Sequence, residues 1–178
     1  MTIHFKQATF QDIENIITLG NEYSKNQLSP QEFQEGFLSI HFTPKIVENF
    51  LKFPSILAYD GDQLASFLLN LSGEENLNPI CLATLSTLKK IAPNVCNSSW
   101  IFYGPIVVDK KYRGQNLPKL KLDQIKPLYK SQNYKFAICF IDKENKPSLN
   151  VHTEKLNFNY VGDFVFSDKN YSILILEI

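Results

Sequence analysis

Val107-Val108-Asp109-Lys110-Lys111-Tyr112-Arg113-Gly114-Gln115-Asn116-Leu117-Pro118-Lys119-Leu120 joins an apolar segment to a helix signal through a basic turn. The apolar part, Trp100 to Val108, reads as a long strand. Pro118 suits the first position of a helix, where its missing N–H would have no partner anyway. A strand that feeds a helix N-terminus through a tight, positively charged turn forms an anion site. The first helical amides lack partners inside the helix, and the helix dipole favours negative charge there.

Upstream of the turn, residues 3–8 alternate apolar and polar, as a half-buried strand does. Thr9-Phe10-Gln11-Asp12 has the form of a capping box with Asp in place of Glu. The helix it opens carries Ile13, Ile16, Ile17 and Gly20 on one face and ends near Tyr23. Ser29-Pro30-Gln31-Glu32 and Thr43-Pro44-Lys45 start two further short helices, the first breaking around Gly36 and the second ending at about Leu51. Residues 55–60 and 63–71 are strand-like, with Asp60-Gly61-Asp62 as a tight hairpin turn. Asn78 to Lys90 is compatible with a helix, followed by a loop around Pro93. Gly104-Pro105 interrupts the long strand, and a proline that cannot donate to the ladder belongs at an edge or a bulge.

Downstream, a helix is expected over 118–132, with Pro127 kinking it or ending it early. Tyr134 to Ile141 is almost wholly apolar and reads as a strand buried on both faces. Pro147 to about Lys155 is a short helix. Phe158 to Phe166 and Tyr171 to Ile178 are strands joined by the polar turn Ser167-Asp168-Lys169-Asn170. The order β-α-α-β-β-(α)-β-α-β-α-β-β predicts an α/β (α+β) fold, a mixed sheet with helices on both faces. Residues 1–178 show no repeat or boundary, which predicts one domain.

Composition narrows the function. The 18 basic and 18 acidic residues balance, which points away from nucleic acid and from an anionic membrane as obligate partners. Three cysteines without CxxC spacing argue against a disulfide framework and against a zinc site, and suit a reducing cytoplasm. No apolar run approaches the roughly 18 residues of a membrane helix, and the N-terminus lacks a signal-peptide core.

In this element order, Arg113-Gly114-Gln115-Asn116-Leu117-Pro118 resembles the pyrophosphate loop of the GNAT superfamily of acyl-CoA N-acyltransferases, Arg/Gln-x-x-Gly-x-Gly/Ala after the fourth strand. Asn145-Lys146-Pro147-Ser148-Leu149-Asn150-Val151-His152, followed by Leu156-Asn157-Phe158, resembles the family's Asn-x-x-Ser-x-x-x-His helix and the Leu-Gly-Phe of its sixth strand. The resemblance covers nearly the whole chain. It departs from the pattern at Asn116 and Asn157, which replace glycines, at Pro118, which replaces Gly/Ala, and between His152 and Phe158, where the spacing is one residue longer. Asparagine tolerates positive φ, so both turns can survive, whereas Pro118 removes one amide donor.

The resemblance implies a largely antiparallel central sheet whose fourth and fifth strands splay apart. It implies an N-acetyltransferase that moves an acetyl group from acetyl-CoA to a primary amine directly, in a ternary complex, without a metal. It places the coenzyme on Arg113, Gly114, Gln115, Asn116, Leu117, Pro118 and Lys119, on the strand residues Ile106, Val107 and Val108, and on Asn145, Ser148 and His152. The catalytic candidates are His152 and Tyr160 as the acid and Glu35 as a base or amine-binding group. Tyr103 is expected to face the acceptor slot. A small amine or a peptide amine is the implied partner, and a homodimer is compatible with the family's habits. A module that binds CoA without turnover, and a plain α/β domain for another phosphate ligand, are the competing readings.

Overall fold

The computed structural model describes residues 2–178. One seven-stranded sheet runs in the order β1-β2-β3-β4-β5-β7-β6. The strands are β1 (Ile3–Gln7), β2 (Ile56–Asp60), β3 (Gln63–Leu71), β4 (Trp100–Val108), β5 (Phe136–Asp142), β6 (Asn159–Phe166) and β7 (Lys169–Glu177). Every neighbouring pair is antiparallel except β4 and β5. The helices are α1 (Ile13–Glu22), α2 (Pro44–Phe50), α3 (Pro79–Ile91), α4 (Pro93–Cys96), α5 (Leu117–Ser131) and α6 (Lys146–Asn150).

Each face of the sheet carries its own core. Ile16, Leu19, Val47, Phe50, Leu85, Leu88 and Val95 bring α1 to α4 onto one face, against Phe67, Phe102 and Ile173. Leu122, Ile125 and Tyr129 of α5 pack on the other face, against Ile101, Ala137 and Leu174. Gly20 lets α1 close on this core, because a Cβ there would lie 2.4 Å from the ring of Phe42. Among the described residues no helix is long and apolar enough to cross a membrane.

The structure differs from the sequence reading in several places. The helix expected from Ser29-Pro30 is only a short 3-10 turn, Glu32–Glu35. Helix α5 begins at Leu117, so Pro118 is its second residue, and Asn116 precedes it in the left-handed region (φ 58°). The helix also runs through Pro127 without ending. That proline is exposed, so water can reach the carbonyl it leaves unbonded, while buried Leu122, Ile125 and Tyr129 hold both sides. The segment around Pro93 is a short helix rather than a loop. The last turn tightens to Ser167 and Asp168, both at positive φ, and Phe166 already pairs with Lys169.

The extra residue after His152 also has a structural form. Helix α6 continues as a π-helical turn, Val151–Lys155, in which the Leu156 N–H donates to the carbonyl of Val151 at 3.1 Å. A π turn absorbs one inserted residue without breaking the helix. Asn157 then takes φ 59°, the positive φ that the family pattern gives to a glycine.

Candidate functional site

Two features of β4 open a cleft in the sheet. Its parallel pairing with β5 lasts only three residues, from Trp100↔Phe136 to Phe102↔Ile138. On its other side, Gly104 and Pro105 stand opposite the single residue Leu69 between the pairs Leu68↔Ile106 and Asn70↔Tyr103. This is the bulge that the proline required. Beyond Phe102 the two strands diverge, and a cleft of about 770 Å³ fills the gap.

The cleft passes from one sheet face to the other. On the α5 face it is lined by Arg113, Gly114, Asn116, Leu117 and Pro118 of the turn, and by Tyr103, Cys139, Ser148 and His152. Ile106, Val107 and Val108 form its floor. On the opposite face it is lined by Phe37, Leu38, Ile40, Phe102, Phe140 and Tyr171, among others. The first half joins the cationic turn to Tyr103, Cys139 and His152, and the second is an aromatic slot. Gln115 and Lys119 lie outside this lining, and the Lys119 ammonium is paired with Asp123 on the next helical turn.

The orientation of β4 at the cleft is fixed from behind. The carbonyl of Val107 accepts from the hydroxyl of Ser66 and from the ammonium of Lys121, the latter at 3.3 Å. A trans peptide points its C=O and N–H in opposite directions. The N–H of Val108 therefore faces the gap, where β5 no longer pairs. Lys121 is fully buried on α5 and also donates to the carbonyl of Phe67 at 2.7 Å and to Ser66. Burial drives its pKa well below the usual lysine value. It went unnoticed in the sequence, although a lysine in register with Leu117 and Ile125 on an apolar helical stripe is a visible anomaly.

Glu35 is not free to act as a base. Its carboxylate holds the Arg113 guanidinium at 3.0 Å and the Lys110 ammonium at 3.4 Å. Glu32 also reaches Lys110, at 3.4 Å. The Glu32–Glu35 turn, ended by Gly36 at φ 97°, is thereby clasped onto the basic turn, and Glu35 lines the cleft there. Arg113 also lies over the ring of Tyr23, 5.5 Å from its centre.

His152 is buried against the edges of Tyr103 and Phe158, and its Nδ1 lies 2.8 Å from the carbonyl of Ser148. A carbonyl can only accept, so Nδ1 carries the proton. Burial lowers the pKa to about 4, against the weaker opposing effect of the Ser148 carbonyl. The ring is neutral at pH 7 and is not the charged acid expected from the sequence. The folded value lies below the unfolded one of about 6.5, so this group's stability contribution is complete above pH 6.5 and is lost as pH falls towards 4. His152→Phe should flatten the fall in unfolding free energy between pH 7 and 4 by about 3 kcal/mol, read by urea denaturation at both pH values. An unchanged slope would refute the buried neutral ring.

Tyr160 is also displaced from its expected role: it is exposed on β6, beside Asp163, and does not line the cleft. Tyr103 faces the α5 side rather than the acceptor slot, packed on His152 and Phe158, and its buried hydroxyl has no partner. The Asn145 side chain is committed to the fold. It donates to the carbonyl of Phe37 at 2.8 Å and accepts from the Ser148 N–H at 3.3 Å. Ser148 Oγ lies 3.4 Å from His152 Nδ1. Burial raises the pKa of Cys139 and lifts that of Cys81 to about 12, so both cleft cysteines are protonated thiols near neutral pH. Among the described residues no group of three His, Cys, Asp or Glu side chains could hold a metal ion.

No sequence-family model matches the chain. No curated protein matches it either. Its likeness to solved structures is extensive. The polyamine N-acetyltransferase of Drosophila melanogaster superposes with a TM-score of 0.72 at 10% identity, over 99% of this chain and 100% of that one. NAA60 of Arabidopsis thaliana, in complex with acetyl-CoA, gives 0.67 at 13% identity and 99% of both chains. A GNAT-family acetyltransferase of Streptococcus pneumoniae gives 0.67 at 14% identity, again over 99% of both. At these identities it is architecture that is shared, and the chain has the GNAT acetyltransferase fold.

Proposed function

We propose that this chain is an N-acetyltransferase that moves the acetyl group of acetyl-CoA to a primary amine within a ternary complex. The observation that carries the reading is the opened β4–β5 pair beside the turn at Arg113. It sets a main-chain donor, the Val108 N–H, a short distance along the same chain from a cationic helix N-terminus. The α5 half of the cleft also suits a CoA arm chemically. It offers the positive charge of Arg113, the amides that open α5, and an unpartnered hydroxyl at Tyr103.

The residues divide the work. Arg113 and the amides of Gly114, Leu117 and Lys119 hold the pyrophosphate. Pro118 contributes no donor, so the charge carried by Arg113 matters more. The Val108 N–H holds the thioester arm, and the hydrogen bond that Lys121 donates to the Val107 carbonyl polarises that peptide and strengthens it as a donor. In the reaction the amine nitrogen bonds to the thioester carbon, the C–S bond breaks, and one amine proton leaves to water. The departing sulfur takes a proton from water to become the free thiol of CoA. We assign the donor of a hydrogen bond to that sulfur to Tyr103, whose buried hydroxyl has no partner, with neutral His152 packed edge-on against its ring. The protonated cleft thiols favour direct transfer over a covalent acyl-enzyme.

Calorimetric titration with CoA and acetyl-CoA, followed by thiol release with a panel of amines, tests the proposal. Micromolar CoA binding and amine-dependent thiol release are expected. No binding at millimolar CoA would end the acyltransferase reading. Binding without release to any amine would leave a CoA-binding module.

A further inference from the structure

Asp142 ends β5, and nothing in the sequence pattern marked it as functional. It is 6% exposed and lines the cleft. One carboxylate oxygen, Oδ1, accepts from the Glu144 N–H at 3.0 Å. The other, Oδ2, is buried and has no hydrogen-bond partner. No ion pair reaches Asp142 among the described residues; the nearby Lys25 ammonium is taken by Glu144 at 2.7 Å. A buried carboxylate oxygen without a donor is costly, and native structures rarely leave one without a reason.

Strand alternation puts Asp142 on the same sheet face as Ile138 and Phe140. That face belongs to α1 to α4, opposite the Arg113 turn and α5. Around it stand Phe102, Phe140 and Tyr171, with Phe102 and Phe140 centred 6.1 Å apart and Phe140 and Tyr171 5.9 Å apart. Phe37 lines the same half of the cleft, and the Lys25 ammonium lies 4.6 Å from its ring centre. Lys169 of β7 lines this half of the cleft too, without reaching Asp142 in an ion pair, and the rest of the wall is mainly aromatic and apolar. Such a wall around a carboxylate with no ion-pair partner calls for a cation on an apolar body: the carboxylate takes the charge and the rings take the rest.

We propose that Asp142 binds the acyl acceptor as its ammonium, which gives up one proton to water before the freed nitrogen attacks the thioester, and that the acceptor is a monoamine whose body is aromatic or apolar. This rests on the acyltransferase reading and names the substrate class of the same cleft. A polyamine carries further charges that the aromatic walls leave unpaired, and a hydrophilic amino acid would leave those walls uncovered.

The test uses the full chain with 2-phenylethylamine as the probe. CoA affinity is measured first, since its failure removes the acyltransferase reading and not the amine site as such. Binding of 2-phenylethylammonium is then compared with that of 2-phenylethanol, its uncharged analogue, in wild-type protein. The cation should bind at least tenfold more tightly, because a charge-assisted bond is lost in the alcohol. Asp142→Asn keeps an oxygen for the Glu144 N–H and removes the charge. It should raise the KM for 2-phenylethylamine tenfold or more, with CoA affinity unchanged and a melting temperature no lower than that of wild type. Equal binding of the cation and the alcohol, or an Asp142→Asn variant with wild-type KM, would overturn the assignment. So would spermidine or glycine turning over with a higher kcat/KM than 2-phenylethylamine.

Discussion

Arg113→Glu should weaken CoA binding by about a hundredfold, because it replaces charge-assisted phosphate bonds worth roughly 1.5–3 kcal/mol with like-charge repulsion. The loss should exceed what one cation usually contributes. Pro118 supplies no amide, Lys119 is turned to Asp123, and Lys110 is shared between Glu32 and Glu35. Calorimetry at low salt reads the effect, and unchanged affinity would show that the turn does not hold the phosphates. The opposite change is expected at Glu35. Its carboxylate occupies the guanidinium that a phosphate needs. Glu35→Gln should therefore tighten CoA binding a few-fold at low salt, in line with the ~0–1 kcal/mol of an exposed pair, and the gain should fade as salt rises. A loss of affinity in Glu35→Gln would instead make Glu35 part of the site.

Lys121→Ala should cost about 3 kcal/mol of stability and lower the melting temperature by roughly 10 °C. The mutation removes a fully buried stem and leaves Ser66, Phe67 and Val107 short of a donor. Relief of the buried charge offsets part of this, since burial already disfavours the ammonium. Lys121→Met separates the two effects: it keeps the stem, so it should lose less stability than the alanine variant. Both should reduce kcat, because the peptide that carries the Val108 N–H loses its support. Thermal melts and thiol release read the two consequences, and a Lys121→Ala variant that melts within about 1 °C of wild type would overturn the structural role.

What the sequence made legible is what is local in the chain. The turn at Arg113–Pro118, the hairpin at Gly61, the bulge at Pro105 and the left-handed Asn116 and Asn157 all follow from the conformational limits of single residues. The alternating and helical periods located nearly every element. Pro127 misled because its cost depends on whether the freed carbonyl meets water, which only the tertiary position decides. The pairing of Glu35 was hidden for a related reason: its partner Arg113 lies 78 residues away. The charge state of His152 depends on burial by residues from β4 and β6's entry, not on its helix. Asp142 is the sole acid in Phe136–Asp142, a weak mark, and only the packed structure shows that one of its oxygens has been left alone.

The three-residue pairing of β4 with β5 also has a mechanical consequence. β5 and β7 share seven paired positions, and β1 and β2 share five, so each flank is a stiff leaf. Between them runs a seam held along barely a third of β4. A ligand lodged there bonds to both leaves at once and acts as a keystone. Its binding energy is then also cohesion of the sheet, so saturation should raise the unfolding temperature and slow amide exchange along β4 and β5 together.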